Sequence, residues 1–388
     1  MKNFIFQIPR KIEVGFSKSK ELVNIINKME LKKILIVVDY NLRKMGIVDH
    51  IFNNLKRENI PFTIFDNIKN EPTIAEVDQI INDLRVAYNY DVIIGIGGGS
   101  TIDVAKLLSI SGSVTGSIKN YIGANKINKP GIMMIMLPTT SGTGAEATPN
   151  AIVNDKDEGS KKGVVSPYLI PDLVILDPEL TLFLPQKITA ETGIDAFTHA
   201  VECFICKKAN AMSDLFALSS MRLISKNLRQ AVKDGSNKEA RYNMALASFY
   251  GGVAIANSGT GGVHALAYPL GGKYGISHGL SNSILLADVM EFNAEAVPEK
   301  FVKIAEVMGI KSDGFSEKQI AKEALNKIKE MISNSGVNLS RYKFSHKDLE
   351  YLARSAMEEP RLLNNNPRPI TYLDALRIYK KSLNVGGA

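Results

Sequence analysis

A chain of 388 residues is long for one hydrophobic core, so two domains are expected. Its composition, 45% hydrophobic and 22% charged, is that of a globular protein and argues against a disordered or low-complexity chain. The formal charge of +7 comes from scattered lysines with short clusters such as Lys161-Lys162 and Lys207-Lys208, so a nucleic-acid partner is not expected.

No apolar run approaches the roughly 20 residues of a membrane helix, so a membrane partner is not expected. The opening MKNFIFQIPRKIEVGF breaks at Pro9 and lacks the long apolar core of a signal peptide, which points to a cytoplasmic location.

In chain order, KKILIVVD (32–39) and PFTIFD (61–66) read as buried strands, followed by the helical pattern IAEVDQIINDLRVA (74–87). DVIIGIGGGS (91–100) is a third strand, running through glycines into the helical TIDVAKLLSI, and GIMMIMLPTT (131–140) is a fourth. Buried strands alternating with helices predict an α/β domain with a parallel sheet, whose ligand sites lie beyond the carboxyl ends of the strands. Near Pro185 the pattern changes. Helical periodicity dominates from there, over 213–234, 240–256, 298–308, 316–334 and 346–356. The expected division is an α/β domain of dinucleotide-binding type over 1–186 and an all-α domain over 187–388.

GIGGGSTIDVAK places Gly95, Gly97, Gly98 and Gly99 between a strand and a helix, where backbone N–H groups can approach a pyrophosphate. Ser100 is placed to cap that helix, and Asp103 either holds the loop or touches a ribose or substrate. PTTSGTGAEAT (138–148) adds Thr139, Thr140, Ser141 and Thr143 after the next strand, so one extended ligand is expected across both loops. Asp39 closes the first of these strands. An acid there accepts from an adenosine 2′-hydroxyl and repels a 2′-phosphate, favouring NAD over NADP.

The two cysteines, Cys203 and Cys206, fall in a helical run and read as buried apolar residues rather than a working dithiol. Of five histidines, three sit among glycines and small residues. In GIDAFTHAVE, Asp195 and His199 share a helix face about 6 Å apart along the axis. GGVHALAYPLGG supplies His264 and YGISHGLSN supplies His278. One carboxylate and three imidazoles suit Fe(II) or Zn(II) better than Mg(II) or Ca(II). His50 and His346 read as surface or capping residues.

These segments, with KKGVVSPYLIP, DPELT and NNPRPIT, occur in an order that resembles the iron-containing (group III) alcohol dehydrogenases over nearly the whole chain. The resemblance implies the dehydroquinate synthase-like fold, an NAD-dependent alcohol dehydrogenase or aldehyde reductase activity, and homodimers or larger assemblies. It implies that Asp195, His199, His264 and His278 ligate a divalent metal, Fe(II) by preference with Zn(II) as the alternative. Gly97, Gly98, Gly99 and Ser100 would bind the pyrophosphate, and Thr139, Thr140 and Thr143 would line the cofactor site. Lys162 would lie near the nicotinamide ribose, Leu180 beside the adenine or its ribose, and Asp39 matches the position that disfavours NADP. One departure concerns the proton path. Where many members carry a histidine four residues after the third ligand, this chain has Tyr268, a phenol of ordinary pKa near 10. Tyr268, Lys162 and Asp103 are therefore the catalytic candidates, with Tyr268 either orienting substrate or marking a different one. The HALAYPLG pattern also resembles 4-hydroxybutyrate dehydrogenases and hydroxyacid–oxoacid transhydrogenases, for which Arg361 and Arg368 are candidate carboxylate contacts. A lyase of the dehydroquinate synthase type is disfavoured by Asp195 at the first ligand position.

Overall fold

The computed structural model describes residues 3–68, 72–84, 90–157, 160–311, 313–337 and 342–385. Two compact units form: Gln7–Phe183, and Leu184–Ala388 together with Met1–Phe6.

The first unit is built on a six-stranded sheet, β1 (Lys11–Val14), β2 (Ile34–Val38), β3 (Phe62–Phe65), β4 (Val92–Gly97), β6 (Met133–Pro138) and β9 (Leu173–Leu176), in the order β1-β9-β6-β4-β2-β3. Every pairing in it is parallel. The central strands are apolar at consecutive positions because both faces are covered. Leu35, Val37, Ile93, Met134 and Met136 pack on one side with α4 (Ile74–Leu84) and α5 (Gly99–Ser109). Their neighbours Ile34, Ile36, Val38, Ile94, Ile96 and Ile135 pack on the other, with α1 (Leu22–Lys28) and α3 (Asp49–Arg57). The short α2 (Tyr40–Lys44) follows β2. Residues 85–87 of the helix expected over 74–87 lie outside the described residues.

A second, three-stranded sheet was not expected from the sequence. It pairs β5 (Gly123–Ala124), β8 (Ser160–Val165) and β7 (Asn150–Asp155), with β7 antiparallel to β8. α5 is packed between these layers, so its Thr101, Asp103, Lys106 and Ser109 are buried. Lys106 is fully buried and donates to the carbonyls of Thr148 and Asn150, each at 2.8 Å. Burial pushes Glu146 up to about 7 and Asp103 up to about 6, and pushes Lys106 down to about 8. Folding favours the neutral form of Glu146, so its stabilising share is present below pH 4.5 and is lost as pH rises through 7. Glu146→Gln is therefore expected to raise stability at pH 8 by about 1–3 kcal/mol and to change it little at pH 4.5. Urea unfolding at the two pH values checks this, and equal midpoints at pH 8 would contradict it.

The second unit is helical: α6 (Gln186–Ile205), α7 (Ala211–Lys233), α8 (Lys238–Ser258), α9 (Gly262–Tyr274), α10 (His278–Ala294), α11 (Pro298–Val307), α12 (Glu317–Asn334), α13 (His346–Ala356), α14 (Pro360–Leu363) and α15 (Tyr372–Ser382). α6 runs through its core: sixteen of its residues are buried. That explains a helix with little amphipathic contrast but many small residues. Cys203 and Cys206 are buried free thiols here, with burial raising both above the ordinary thiol range. No helix among the described residues is long and apolar enough to cross a membrane.

Candidate metal centre and dinucleotide loops

Three helices of the second unit bring the metal candidates together. Asp195 and His199 lie one turn apart on α6, His264 lies in the first turn of α9, and His278 opens α10. Each offers one ligand atom, and the four atoms lie within 4.8 Å of one another. Asp195 Oδ1 stands 3.8 Å from His199 Nε2 and 3.7 Å from His278 Nε2. An ion about 2.1 Å from each donor sets tetrahedral donors roughly 3.4 Å apart, so this set fits a transition-metal ion after small adjustment. Asp195, His199 and His264 are buried, whereas the His278 side chain is 25% exposed and marks the open side. Burial opposes the charge of Asp195, but the His199, His278 and His264 imidazoles and an Asn282 N–H outweigh it. They hold the carboxyl below its ordinary value.

Local sequence explains why these helices meet. Gly275 takes the left-handed conformation that ends α9, and Ser277 Oγ then donates to Glu191 Oε2 of α6 at 2.6 Å. At Gly279 a side chain has no room: a Cβ would stand 2.5 Å from the Glu191 carbonyl oxygen. α10 therefore starts against the α6 backbone, which places His278 beside Asp195.

Sequence reasoning missed two residues of this centre. Glu202 Oε2 lies 2.5 Å from His264 Nδ1, while Glu202 Oε1 accepts from the Val263 N–H at 2.6 Å. One carboxylate thus anchors the start of α9 and fixes the His264 tautomer with Nε2 as the free donor atom. The signal was present, since Glu202 follows Asp195 by seven residues and His199 by three on one helix face. Asn282, fully buried one turn after His278, donates to Asp195 Oδ1 at 2.6 Å.

Tyr268 lies one turn after His264, its ring centroid 6.1 Å from that of His278, and burial pushes its phenol up to about 12. Arg368 is engaged by its own chain, donating to the Phe292 carbonyl and to Glu295 with its guanidinium 4.0 Å over the Phe292 ring. Arg361 is exposed. The adjoining Asn365 and Asn366 are structural: Asn365 donates to the carbonyls of Ser258 and Thr260, and Asn366 accepts from the Gly262 N–H. His50 accepts or donates at Ser19 Oγ, 3.0 Å away, and His346 opens α13.

In the first unit, β2, β4 and β6 are parallel neighbours, so Asp39, the Gly97–Ser100 turn and Thr139–Thr143 lie together beyond the carboxyl ends of the strands. The Thr139 N–H donates to the Gly97 carbonyl at 3.0 Å. A Cβ on Gly99 would lie 2.8 Å from Thr143 Cγ2, and one on Gly98 would lie 3.3 Å from Thr140 Cγ2. The two polar loops are thus in contact. Ser141 Oγ is buried with no hydrogen-bond partner among the described residues, an orphan suited to a ligand oxygen. Together with the helix N-terminus at Gly99, these features fit a dinucleotide phosphate. Asp39 caps α2, its Oδ1 accepting from the N–H groups of Asn41 and Leu42. Asp103 accepts from the Ile152 N–H at 3.1 Å, Lys162 lies on β8 opposite Val153, and Leu180 is buried in the sheet core with Val38 and Ile96.

A parallel α/β unit with phosphate-type loops and a helical unit with an Asp-His-His-His cluster are the parts of a nucleotide-binding enzyme with a candidate metal centre. Residues 9–178 match the family described as iron-containing alcohol dehydrogenase, and residues 189–383 match the C-terminal part of the Fe-containing alcohol dehydrogenase family. The long-chain-alcohol dehydrogenase 1 of Geobacillus thermodenitrificans is 35% identical over 377 residues, 96% of this chain and 95% of that one. A crystal structure of 1,3-propanediol oxidoreductase superposes with a TM-score of 0.93 at 34% identity, covering 98% of this chain and all of that one. A sulfoacetaldehyde reductase from Bifidobacterium kashiwanohense, solved in complex with NAD+, superposes at 0.87 with 27% identity, covering 99% of each chain. The chain belongs to the iron-containing alcohol dehydrogenase family: it is a nicotinamide-dependent oxidoreductase of small alcohols and aldehydes.

Proposed function

We propose that this enzyme interconverts primary alcohols or diols and their aldehydes with NAD(H), using Fe(II), or Zn(II) in its place, held by Asp195, His199, His264 and His278. The observation that carries the reading is the convergence of four donor atoms within 4.8 Å, one of them on an imidazole whose other nitrogen meets a buried carboxylate. The relatives named above act, by their names, on long-chain alcohols, a diol and a sulfonated aldehyde, which share the alcohol–aldehyde carbon and differ in the remainder.

When bound, the ion supplies a Lewis acid for the alcohol or carbonyl oxygen, and the nicotinamide supplies the hydride chemistry. The protein's part is position and electrostatics. Glu202 holds His264 in one tautomer. Tyr268, a phenol whose burial favours the protonated form, serves as a hydrogen-bond donor that orients substrate. Gly97, Gly98, Gly99 and Ser100 receive the pyrophosphate, with Thr139, Thr140 and Thr143 beside it. Asp103 holds α5, which opens from the glycine turn, against β7 by accepting from the Ile152 N–H. Lys162 and Leu180 take the nicotinamide ribose and the adenosine end.

The chelator-stripped protein, reloaded with Fe(II) or Zn(II), is expected to reduce NAD with short alcohols or diols, and to use NADP poorly. Asp39→Gly should raise kcat/KM for NADP by about 10-fold or more, since a like charge facing a 2′-phosphate costs more than about 1 kcal/mol. Full activity without an ion, or no change in cofactor preference in the variant, would contradict the reading.

A further inference from the structure

We infer that Asn282 is a positioning residue of the metal centre, clamping the ligating carboxylate from outside the ligand set; this rests on the metal reading above. Asn282 lies one turn after His278 on α10, so the two side chains share a face, and it is fully buried. Its Nδ2 stands 2.6 Å from Asp195 Oδ1, 3.3 Å from His264 Nε2 and 3.2 Å from His278 Nε2. Its Oδ1 is buried with no partner among the described residues. A buried amide with one end crowded by three acceptors and the other orphaned is poorly placed for packing alone.

The chemistry of the acceptors separates their roles. Each imidazole Nε2 has one lone pair, which a bound ion takes, so the two contacts from Nδ2 to histidine lapse when the site is filled. A carboxylate oxygen keeps further lone pairs, so the bond to Asp195 Oδ1 survives. It is also the short, charge-assisted one. Asp195 is the sole carboxylate among the four donors, on a side chain that reaches the imidazole nitrogens at 3.7 and 3.8 Å. Fixing its rotamer before the ion arrives removes an ordering cost from binding. The competing role, a turned amide presenting Oδ1 as a fifth ligand, predicts the opposite charge response.

Zn2+ affinity of the full-length protein, read by competition with a chromogenic chelator, distinguishes them. Asn282→Leu removes the donor at similar volume. Asn282→Asp places an anion against Asp195, and Asn282→Ser replaces either variant if it fails to fold. Clamping by Nδ2 predicts Zn2+ binding weakened about 10- to 100-fold in the Leu or Ser variant and weakened also in the Asp variant. Wild-type affinity in the Leu variant, or tighter binding in the Asp variant, overturns the inference. Asp195→Ala is measured alongside. Loss of Zn2+ there, with wild-type binding in Asn282→Leu, sinks only the clamp. Retention of Zn2+ in Asp195→Ala sinks the metal reading itself.

Discussion

His278→Ala is expected to lose its divalent ion and its turnover while keeping its fold. Of the four ligand side chains it is the part-exposed one, so removing it opens space that water can enter rather than an apolar void. His264→Ala should lose the ion as well, but it also strips Glu202 of a partner. Glu202 is 1% exposed and would keep the Val263 N–H on one oxygen with nothing replacing His264 on the other. An added stability loss of about 1–3 kcal/mol is expected in that variant alone. In both, ion affinity should fall by more than about 100-fold, the upper end of what outer-shell changes cost. Metal analysis, circular dichroism and thermal melting read these effects apart. Wild-type ion content in either variant would contradict the ligand assignment.

The second large effect is expected from a position that touches neither ion nor cofactor. Gly279→Ala puts a methyl group 2.5 Å from a backbone oxygen of α6, which cannot swing aside as a side-chain tip can. α10 must retreat from α6, and His278 and Asp195, on opposite sides of that contact, must part. Overpacking of this kind costs about 1–3 kcal/mol. The diagnostic consequence is functional: ion affinity should fall by about 10-fold or more, as small displacements of a preorganised centre do. Calorimetric titration of the metal-free protein checks it. Wild-type affinity in a folded Gly279→Ala protein would show that the helix contact does not set the site.

The parts of this molecule legible in its sequence were those with a strong local period or a concentrated chemistry. The runs ILIVV, VIIGIG and MMIMLP are apolar on successive residues because both sheet faces are covered, and they became β2, β4 and β6. Asp195 and His199 were readable because a helix puts residues four apart on one face. β1 and β9 are short, four residues each, and β7 hides its alternation of buried and part-buried residues in the polar sequence NAIVND. Glu202 carried a readable helical spacing to Asp195 and His199, but its role, like that of Asn282, is set by tertiary pairing. Each belongs to the centre through a partner on a different helix, His264 for Glu202 and Asp195 for Asn282, and such pairings exist only after the helices pack. The same holds for Arg368, which as sequence is a free cation and in the fold closes the end of α10.

Metal content per chain is the most direct test of the central claim. Protein purified without chelators and reloaded anaerobically with Fe(II) should carry one ion per chain by plasma mass spectrometry, and Asp195→Ala protein treated identically should carry none. Equal iron in the two proteins would place the ion elsewhere and contradict the account.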